Sequence, residues 1–76
     1  MSETILVTGA NGFIGSHTSR LLESLGHRIV PIDVVPRSPD LSLLGIRTPS
    51  ILMNVTDAVE FRVLCKREKP TQIFHA

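Results

Sequence analysis

The sequence has no tyrosine, no tryptophan and only one cysteine, Cys65. A single cysteine cannot form an internal disulfide, and this usage is typical of a reducing compartment, so we expect a cytoplasmic protein. The sequence also lacks an apolar run long enough to span a membrane. Its first residues lack the basic segment and apolar core of a secretory leader. We therefore expect no membrane partner.

An excess of charge of one sign is also missing. The sequence has 8 lysines and arginines, 7 aspartates and glutamates, and a formal net charge of +1. Without a basic excess there is no electrostatic footprint for nucleic acid, so we predict no nucleic-acid partner. The three histidines and the cysteine do not have metal-ligand spacing, so we predict no metal site. With 76 residues, the chain is one small domain at most, and no second domain is expected.

What the sequence does contain is a glycine-spaced turn between an apolar run at 5–7 and an amphipathic run that ends near Gly26. Gly9, Gly12 and Gly15 give the spacing G-x-x-G-x-x-G. Glycine reaches positive φ without steric cost and lets the backbone approach a phosphate, while the N-terminus of a following helix supplies N–H donors. This arrangement is typical of a turn that holds a dinucleotide pyrophosphate. A glycine-rich turn that holds no ligand is the alternative.

Alternating apolar and amphipathic segments predict the order β-α-β-loop-β-α-β. We place strands at 4–8, 27–33, 50–54 and 72–76, and helices at 13–25 and 57–68. Strands that alternate with helices form a parallel sheet with right-handed crossovers. The expected fold class is therefore α/β, the first half of a doubly wound parallel sheet with strand order 3-2-1-4. Pro31 fits the second strand poorly, because proline cannot donate to a sheet ladder.

The first helix has apolar residues at helical spacing, which predicts the side that faces the sheet. The expected inward residues are Ile14, Thr18, Leu21 and Leu25, with Leu22 beside them. Ser16 and Ser19 are expected to lie mostly outward.

Asp33 ends the second predicted strand, 18 residues after Gly15. A carboxylate at this point can accept hydrogen bonds from both ribose hydroxyls of an adenosine. Its negative charge would repel a 2′-phosphate, which favours NAD over NADP, although Arg37 could soften that preference. A solvated aspartate at a strand end is the alternative.

Two further positions lie where strands end. Asn54 and Val55 follow the third strand, where an adenine edge would lie, and an amide can pair with the adenine amino group. A turn residue that starts the next helix explains Asn54 equally well. For His75, near the end of the fourth strand, we expect a structural role rather than a catalytic one, because no residue in the sequence pairs with it.

Together these residues resemble the NAD-dependent epimerase/dehydratase family of the extended short-chain dehydrogenase/reductase superfamily. Four segments carry the resemblance in chain order: the T-G-A-N-G-F-I-G-S-H run at 8–17, Gly26-His27 with the strand that ends in Asp33, the N-V-T-D run at 54–57, and Pro70 with the I-F-H-A run at 73–76. The family pattern has an aspartate at the position of Asn54. The resemblance covers the whole chain.

The resemblance implies a role for nine residues. The backbone around Gly9, Gly12, Phe13, Ile14 and Gly15 would hold the pyrophosphate. Asp33 would hold the adenosine ribose, Asn54 and Val55 would border the adenine, and Ala76 would lie along the cofactor toward the nicotinamide. The implied cofactor is NAD, with NADP disfavoured by Asp33. The implied substrate of the parent enzyme is a nucleotide sugar, and a homodimer is one assembly that the parent could form.

The catalytic residues of the resembled family are a Tyr-x-x-x-Lys pair with a nearby Ser or Thr. This sequence contains no tyrosine, so no catalytic residue is assigned. We expect residues 1–76 to be the N-terminal part of an NAD(P)-binding Rossmann domain, from a nucleotide-sugar epimerase or dehydratase whose catalytic half lies outside this chain. The alternatives are a non-catalytic NAD(P)-binding or regulatory module and an NADP-dependent reductase of the same superfamily.

Overall fold

The computed structural model describes residues 2–76 and contains four strands and three helices. In chain order these are β1 (Thr4–Thr8), α1 (Phe13–Ser24), β2 (Arg28–Asp33), α2 (Pro39–Ser42), β3 (Ile51–Leu52), α3 (Ala58–Glu68) and β4 (Gln72–His75). The strands form one parallel sheet in the order β3-β2-β1-β4. The predicted α/β class and strand order 3-2-1-4 are confirmed. The third strand is shorter than predicted, and the loop before it contains the short helix α2.

The sheet separates two hydrophobic cores, because successive side chains of β1 point to opposite faces. One core contains Ile5, Val7 and Ala10, with Leu22 of α1 packed against it. The other contains Leu6, Val30, Ile32 and Leu64, with Leu64 contributed by α3. The sheet is therefore covered on both faces, which explains why β1 is a continuous apolar run rather than an alternating one.

The sheet-facing side of α1 consists of small residues, so the predicted apolar stripe was wrong. The buried residues of this helix are Gly15, Ser16 and Ser19. Ile14, Leu21 and Leu25 are each more than half exposed, and Thr18 is half-buried. Of the residues predicted to face inward, only Leu22 packs on the core.

The reason lies in how closely α1 approaches the glycine turn. A Cβ atom placed on Gly15 would lie 2.0 Å from the carbonyl oxygen of Gly9. At that separation only small side chains fit between helix and loop. Ser16 uses the space to donate a hydrogen bond to the Ala10 carbonyl, 3.0 Å away. The direction of α1 is thus set by backbone contact at its first turn, and the leucines on its outer side stay exposed.

Both long helices are terminated by local signals. At the end of α1, Gly26 has φ +88°, and its N–H and that of His27 donate to the carbonyls of Glu23 and Leu22, as in a Schellman motif. At the start of α3, an Asp57 carboxylate oxygen accepts a hydrogen bond from the Glu60 N–H at 3.1 Å, which confirms the predicted N-cap.

Pro31 lies inside β2, at a point where its missing N–H has no consequence. Neighbouring residues of a strand direct their backbone polar groups to opposite sides. The Ile32 carbonyl accepts from Ala10 on the β1 side, so the nitrogen of Pro31 points to the side of β3. β3 pairs only with Ile32 and Asp33, and no residue of β3 lies opposite the proline.

Candidate functional site

The carboxyl ends of the four parallel strands lie along one edge of the sheet, where a cavity of about 200 Å³ opens. Its lining residues are Thr8, Gly9, Ile32, Asp33, Val34, Met53, Asn54, Val55, His75 and Ala76. Open α/β sheets bind their ligands at this edge. The structure therefore brings together five of the nine predicted site residues: Gly9, Asp33, Asn54, Val55 and Ala76.

The other four predicted residues form the start of α1. Gly12 is the N-cap, with extended backbone, and no side chain caps the helix there. The side chains of Phe13 and Ile14 are exposed and do not line the cavity. Since the first N–H groups of a helix have no intrahelical acceptor, Phe13, Ile14 and Gly15 offer backbone donors at the positive end of the helix dipole.

Gly9 is required to be glycine for two separate reasons. Its φ is +67°, which is a conformation that L-residues with a side chain rarely adopt. A Cβ atom here would also lie 3.0 Å from the carbonyl oxygen of Ala76. The Ala76 N–H in turn donates to the Thr8 carbonyl at 3.1 Å. The end of β4 therefore lies directly against the glycine turn.

Backbone N–H groups hold the carboxylate of Asp33 in one orientation. Oδ2 accepts from Asn11 N at 2.9 Å. Oδ1 accepts from Val34 N at 2.7 Å and from Val35 N at 3.3 Å. An ionised carboxylate has about four acceptor positions, and these three donors leave about one for a hydrogen bond from a ligand. The predicted acidic residue is thus in place at the cavity with its orientation already set.

Asn11 is a site residue that the sequence did not reveal. It is only 4% exposed, and its amide nitrogen donates to the Val35 carbonyl at 2.7 Å and to Ser50 Oγ at 3.0 Å. Its side-chain oxygen is buried without a hydrogen-bond partner. The sequence does show a polar amide inside an otherwise apolar, glycine-rich turn. Its hydrogen-bond partners cannot be identified from a local sequence pattern, because they are distant in the chain.

Arg37 lies against the glycine turn and the first residues of α1. Its Nε donates to Ser16 Oγ at 3.0 Å and its Nη2 donates to the Ala10 carbonyl at 3.3 Å. These hydrogen bonds hold the guanidinium against the glycine turn and the start of α1. Among residues 2–76, Arg37 makes no ion pair with Asp33, although the two side chains bind opposite ends of the Ala10–Asn11 peptide group.

Asn54 and His75 both have structural partners. The Asn54 side-chain oxygen accepts from the N–H and the Oγ of Thr56, at 3.0 and 2.8 Å, so its carbonyl serves the turn that precedes α3. His75 Nδ1 contacts Thr8 Oγ1 across the β4–β1 pair. The Asn54 contacts fit the turn role left open in the sequence, and His75 contacts a neighbouring strand residue, as a structural role would require.

Residues 2–76 contain neither a membrane-spanning helix nor a cluster of metal-ligating side chains. No helix in this part of the chain is both long and apolar enough to cross a membrane. Within the same residues, no three histidine, cysteine, aspartate or glutamate side chains lie close enough together to hold a metal ion.

Residues 5–76 match the model of the NAD dependent epimerase/dehydratase family. UDP-glucose 4-epimerase 1 of Oryza sativa subsp. japonica is 38% identical over an alignment that covers 93% of this chain and 20% of the rice protein.

Two solved structures share the fold. UDP-glucose 4-epimerase from Brucella ovis in complex with NAD has a TM-score of 0.80 and 25% identity, covering 97% of this chain and 22% of that one. UDP-glucose-4-epimerase from Stenotrophomonas maltophila with bound NAD and formylated UDP-arabinopyranose has a TM-score of 0.82 and 23% identity, covering 96% and 24%. The chain spans about a fifth of the length of the relatives it matches.

Proposed function

Because the chain belongs to the NAD-dependent epimerase/dehydratase family, we propose that it forms the adenosine-binding and pyrophosphate-binding part of an NAD site. The observation that carries this proposal is a convergence at the sheet edge. The oriented carboxylate of Asp33 lies at a cavity whose wall includes Gly9, and Gly9 leads into the uncapped start of α1. In this proposal residues 1–76 are the N-terminal part of an NAD(P)-binding Rossmann domain.

The start of α1 fits a pyrophosphate. α1 has 12 residues, no acidic side chain in its first turn and no side-chain cap. An anion at such a terminus is stabilised by the helix dipole and by the free N–H groups of Phe13, Ile14 and Gly15. Gly12 leaves the approach open, since a Cβ atom there would meet only the Gly9 carbonyl, at 3.6 Å. Phosphate oxygens can therefore reach the backbone at this point.

Asp33 fits the adenosine ribose and selects NAD. Its carboxylate has an acceptor position left for a ribose hydroxyl, whereas a 2′-phosphate would bring a second negative charge against it. Arg37 donates to Ser16 and to the Ala10 carbonyl and makes no ion pair with Asp33 that would neutralise the carboxylate. The family description and the NAD complexes of the two related epimerases support the same cofactor. An NADP-dependent reductase is accordingly the less favoured assignment.

The parent protein, in this proposal, is an oxidoreductase that acts on a nucleotide sugar, as the names of the related epimerases suggest. NAD, when bound, supplies a hydride acceptor for transient oxidation of a sugar hydroxyl. Residues 1–76 bind and orient that cofactor, with Ala76 along its path toward the nicotinamide. They supply no tyrosine, so the acid–base chemistry belongs to residues outside this chain. We also propose a cytoplasmic location and a homodimeric parent.

The cofactor assignment is tested by measuring NAD and NADP affinities of the wild-type chain and of Asp33→Asn. Saturation-transfer NMR suits this comparison, because it detects weak binding and part of the cofactor site lies outside the chain. We expect Asp33→Asn to weaken NAD binding by about tenfold and to remove the preference over NADP. Asp40→Asn is the matched control, since Asp40 lies in α2, outside the cavity. Equal affinities of wild type and Asp33→Asn for both nucleotides would contradict the assignment.

The catalytic assignment is tested on the gene. We expect the reading frame to continue past the codon for Ala76 to a Tyr-x-x-x-Lys sequence some tens of codons downstream. A stop codon at that point, or a longer frame without the motif, would favour the non-catalytic NAD(P)-binding or regulatory module instead.

A further inference from the structure

Asn11 connects three separate parts of the site through hydrogen bonds. Its backbone N–H donates to Asp33 Oδ2 at 2.9 Å. Its side-chain amide donates to the Val35 carbonyl at 2.7 Å and to Ser50 Oγ at 3.0 Å. The glycine turn is thereby joined to the segment that follows β2 and to the residue that precedes β3. Because Asn11 is only 4% exposed, water does not compete effectively for these bonds.

The same residue controls the donors on the other carboxylate oxygen of Asp33. Val34 N and Val35 N both donate to Oδ1. Packing holds this dipeptide only in part, since Val34 and Val35 are 61% and 53% exposed. The Asn11 amide adds a hydrogen bond to the Val35 carbonyl. Every N–H donor to the carboxylate therefore belongs either to Asn11 or to the dipeptide that Asn11 anchors.

We propose that Asn11 is a positioning residue for Asp33 and thereby determines how strongly the site prefers NAD over NADP. This inference rests on the proposed function, since it assigns to Asn11 the orientation of the ribose-binding carboxylate. Without the amide, the Val34–Val35 turn is free to move away from the sheet edge and the Oδ1 hydrogen bonds weaken. The carboxylate then no longer faces the ribose hydroxyls in one orientation. It also repels a 2′-phosphate less, because it can turn away from it.

The experiment compares Asn11→Ala, which keeps the backbone N–H, with Ser50→Ala, which removes one of the two amide contacts. The control is Glu23→Gln. Glu23 accepts from Arg47 N, Thr48 N and Thr48 Oγ1, so it holds the same β2–β3 connection at a point outside the cavity. Removing the Glu23 carboxylate should lower the stability of the chain while leaving the hydrogen bonds of Asp33 intact.

The first readout is the ratio of the NADP and NAD dissociation constants. We expect this preference for NAD to fall by about fivefold to tenfold in Asn11→Ala and by about twofold in Ser50→Ala. It should stay at the wild-type value in Glu23→Gln. A purely structural role for Asn11 would lower both affinities together and leave the ratio unchanged.

The second readout is amide hydrogen exchange at Val34 and Val35 in the unliganded chain, which does not depend on nucleotide binding. We expect exchange at both amides to accelerate by at least about fivefold in Asn11→Ala, and to stay near the wild-type rate in Glu23→Gln. If Asn11→Ala does not fold, Ser50→Ala gives the same comparison with a smaller expected change.

The outcomes separate this inference from the proposed function. If the ratio of the NADP and NAD dissociation constants is unchanged in Asn11→Ala but falls to about one in Asp33→Asn, the role of Asn11 is overturned and the NAD site is still supported. A wild-type chain that prefers neither nucleotide overturns the assignment of Asp33 to the ribose, and one that binds neither nucleotide overturns the NAD site itself. Unchanged exchange at Val34 and Val35 overturns the role of Asn11 whatever the nucleotide data show.

Discussion

Replacing Gly15 by alanine should break the contact between α1 and the glycine turn. The new Cβ atom would lie 2.0 Å from the Gly9 carbonyl oxygen and 2.8 Å from Ala10 Cα, and both are backbone atoms. An ordinary contact begins near 3.4 Å, so the helix and the turn must separate by about 1.4 Å at this point. No side-chain rotation can relieve the overlap.

The expected cost can be worked out from opposing contributions. Overpacking against a rigid neighbour costs about 3 kcal/mol at the upper end of its usual range. The separation also weakens the hydrogen bond from Ser16 to the Ala10 carbonyl, which adds about 1 kcal/mol. Alanine is the better helix former by about 1 kcal/mol, which acts in the opposite direction. We therefore expect Gly15→Ala to lower the free energy of unfolding by about 3 kcal/mol.

The assay is equilibrium unfolding in urea followed by circular dichroism. Because so small a chain is marginally stable, all samples contain the stabilising osmolyte trimethylamine N-oxide at one fixed concentration. Gly12→Ala and Gly26→Ala are matched controls. A Cβ atom on Gly12 meets only one atom, at 3.6 Å, so we expect a change below about 1 kcal/mol. Gly26 has open space around it but φ +88°, so only backbone strain of about 1 kcal/mol is expected. A Gly15→Ala chain as stable as either control would refute the reasoning.

Two other predictions concern stability. Ser19 is fully buried and its Oγ has no hydrogen-bond partner. We therefore expect Ser19→Ala to raise the free energy of unfolding by about 1 kcal/mol in the same assay. A lower free energy of unfolding would mean that the hydroxyl is hydrogen-bonded. Burial raises the pKa of Glu23, but hydrogen bonds from Arg47 and Thr48 outweigh it and lower the pKa below the ordinary 4.5. The pKa of Glu23 is therefore lower in the folded state than in the unfolded state. The stabilisation that the ionised Glu23 gives is fully present above pH 4.5 and is lost as the pH falls through the folded-state pKa. Glu23→Gln should therefore flatten the stability profile below that pH, and an unchanged acid profile would contradict this.

The elements and the strand order could be predicted because their signals are local. The apolar run of β1, the Asp57 cap and the proline after α3 each act within a few residues. Asp33 was also predictable, since it ends a strand at a fixed distance from the glycines. Once the elements alternate, handedness rules leave few topologies open, and the order 3-2-1-4 follows.

The inward face of α1 and the role of Asn11 could not be predicted, for the same physical reason. The leucines of α1 have helical periodicity, but the helix is oriented by the contact of Gly15 with the Gly9 carbonyl, which periodicity does not report. The partners of Asn11 lie 24 and 39 residues away, at Val35 and Ser50. Both features depend on tertiary contacts that form only after the elements pack.

The contact between the end of β4 and the glycine turn has a consequence for the order of folding. β1 pairs on one side with β2, the next strand in the chain. On its other side it pairs with β4, and this pairing brings together residues 67 positions apart, as in the Thr8–His75 pair. Pairings of such long range form late, because the loop-closure entropy must be met first. The wall of the cavity between Gly9 and Ala76 is therefore completed last. A chain still being synthesised can form the first βαβ unit early, but the part of the proposed nucleotide site that lies within residues 2–76 forms only when Ala76 has docked.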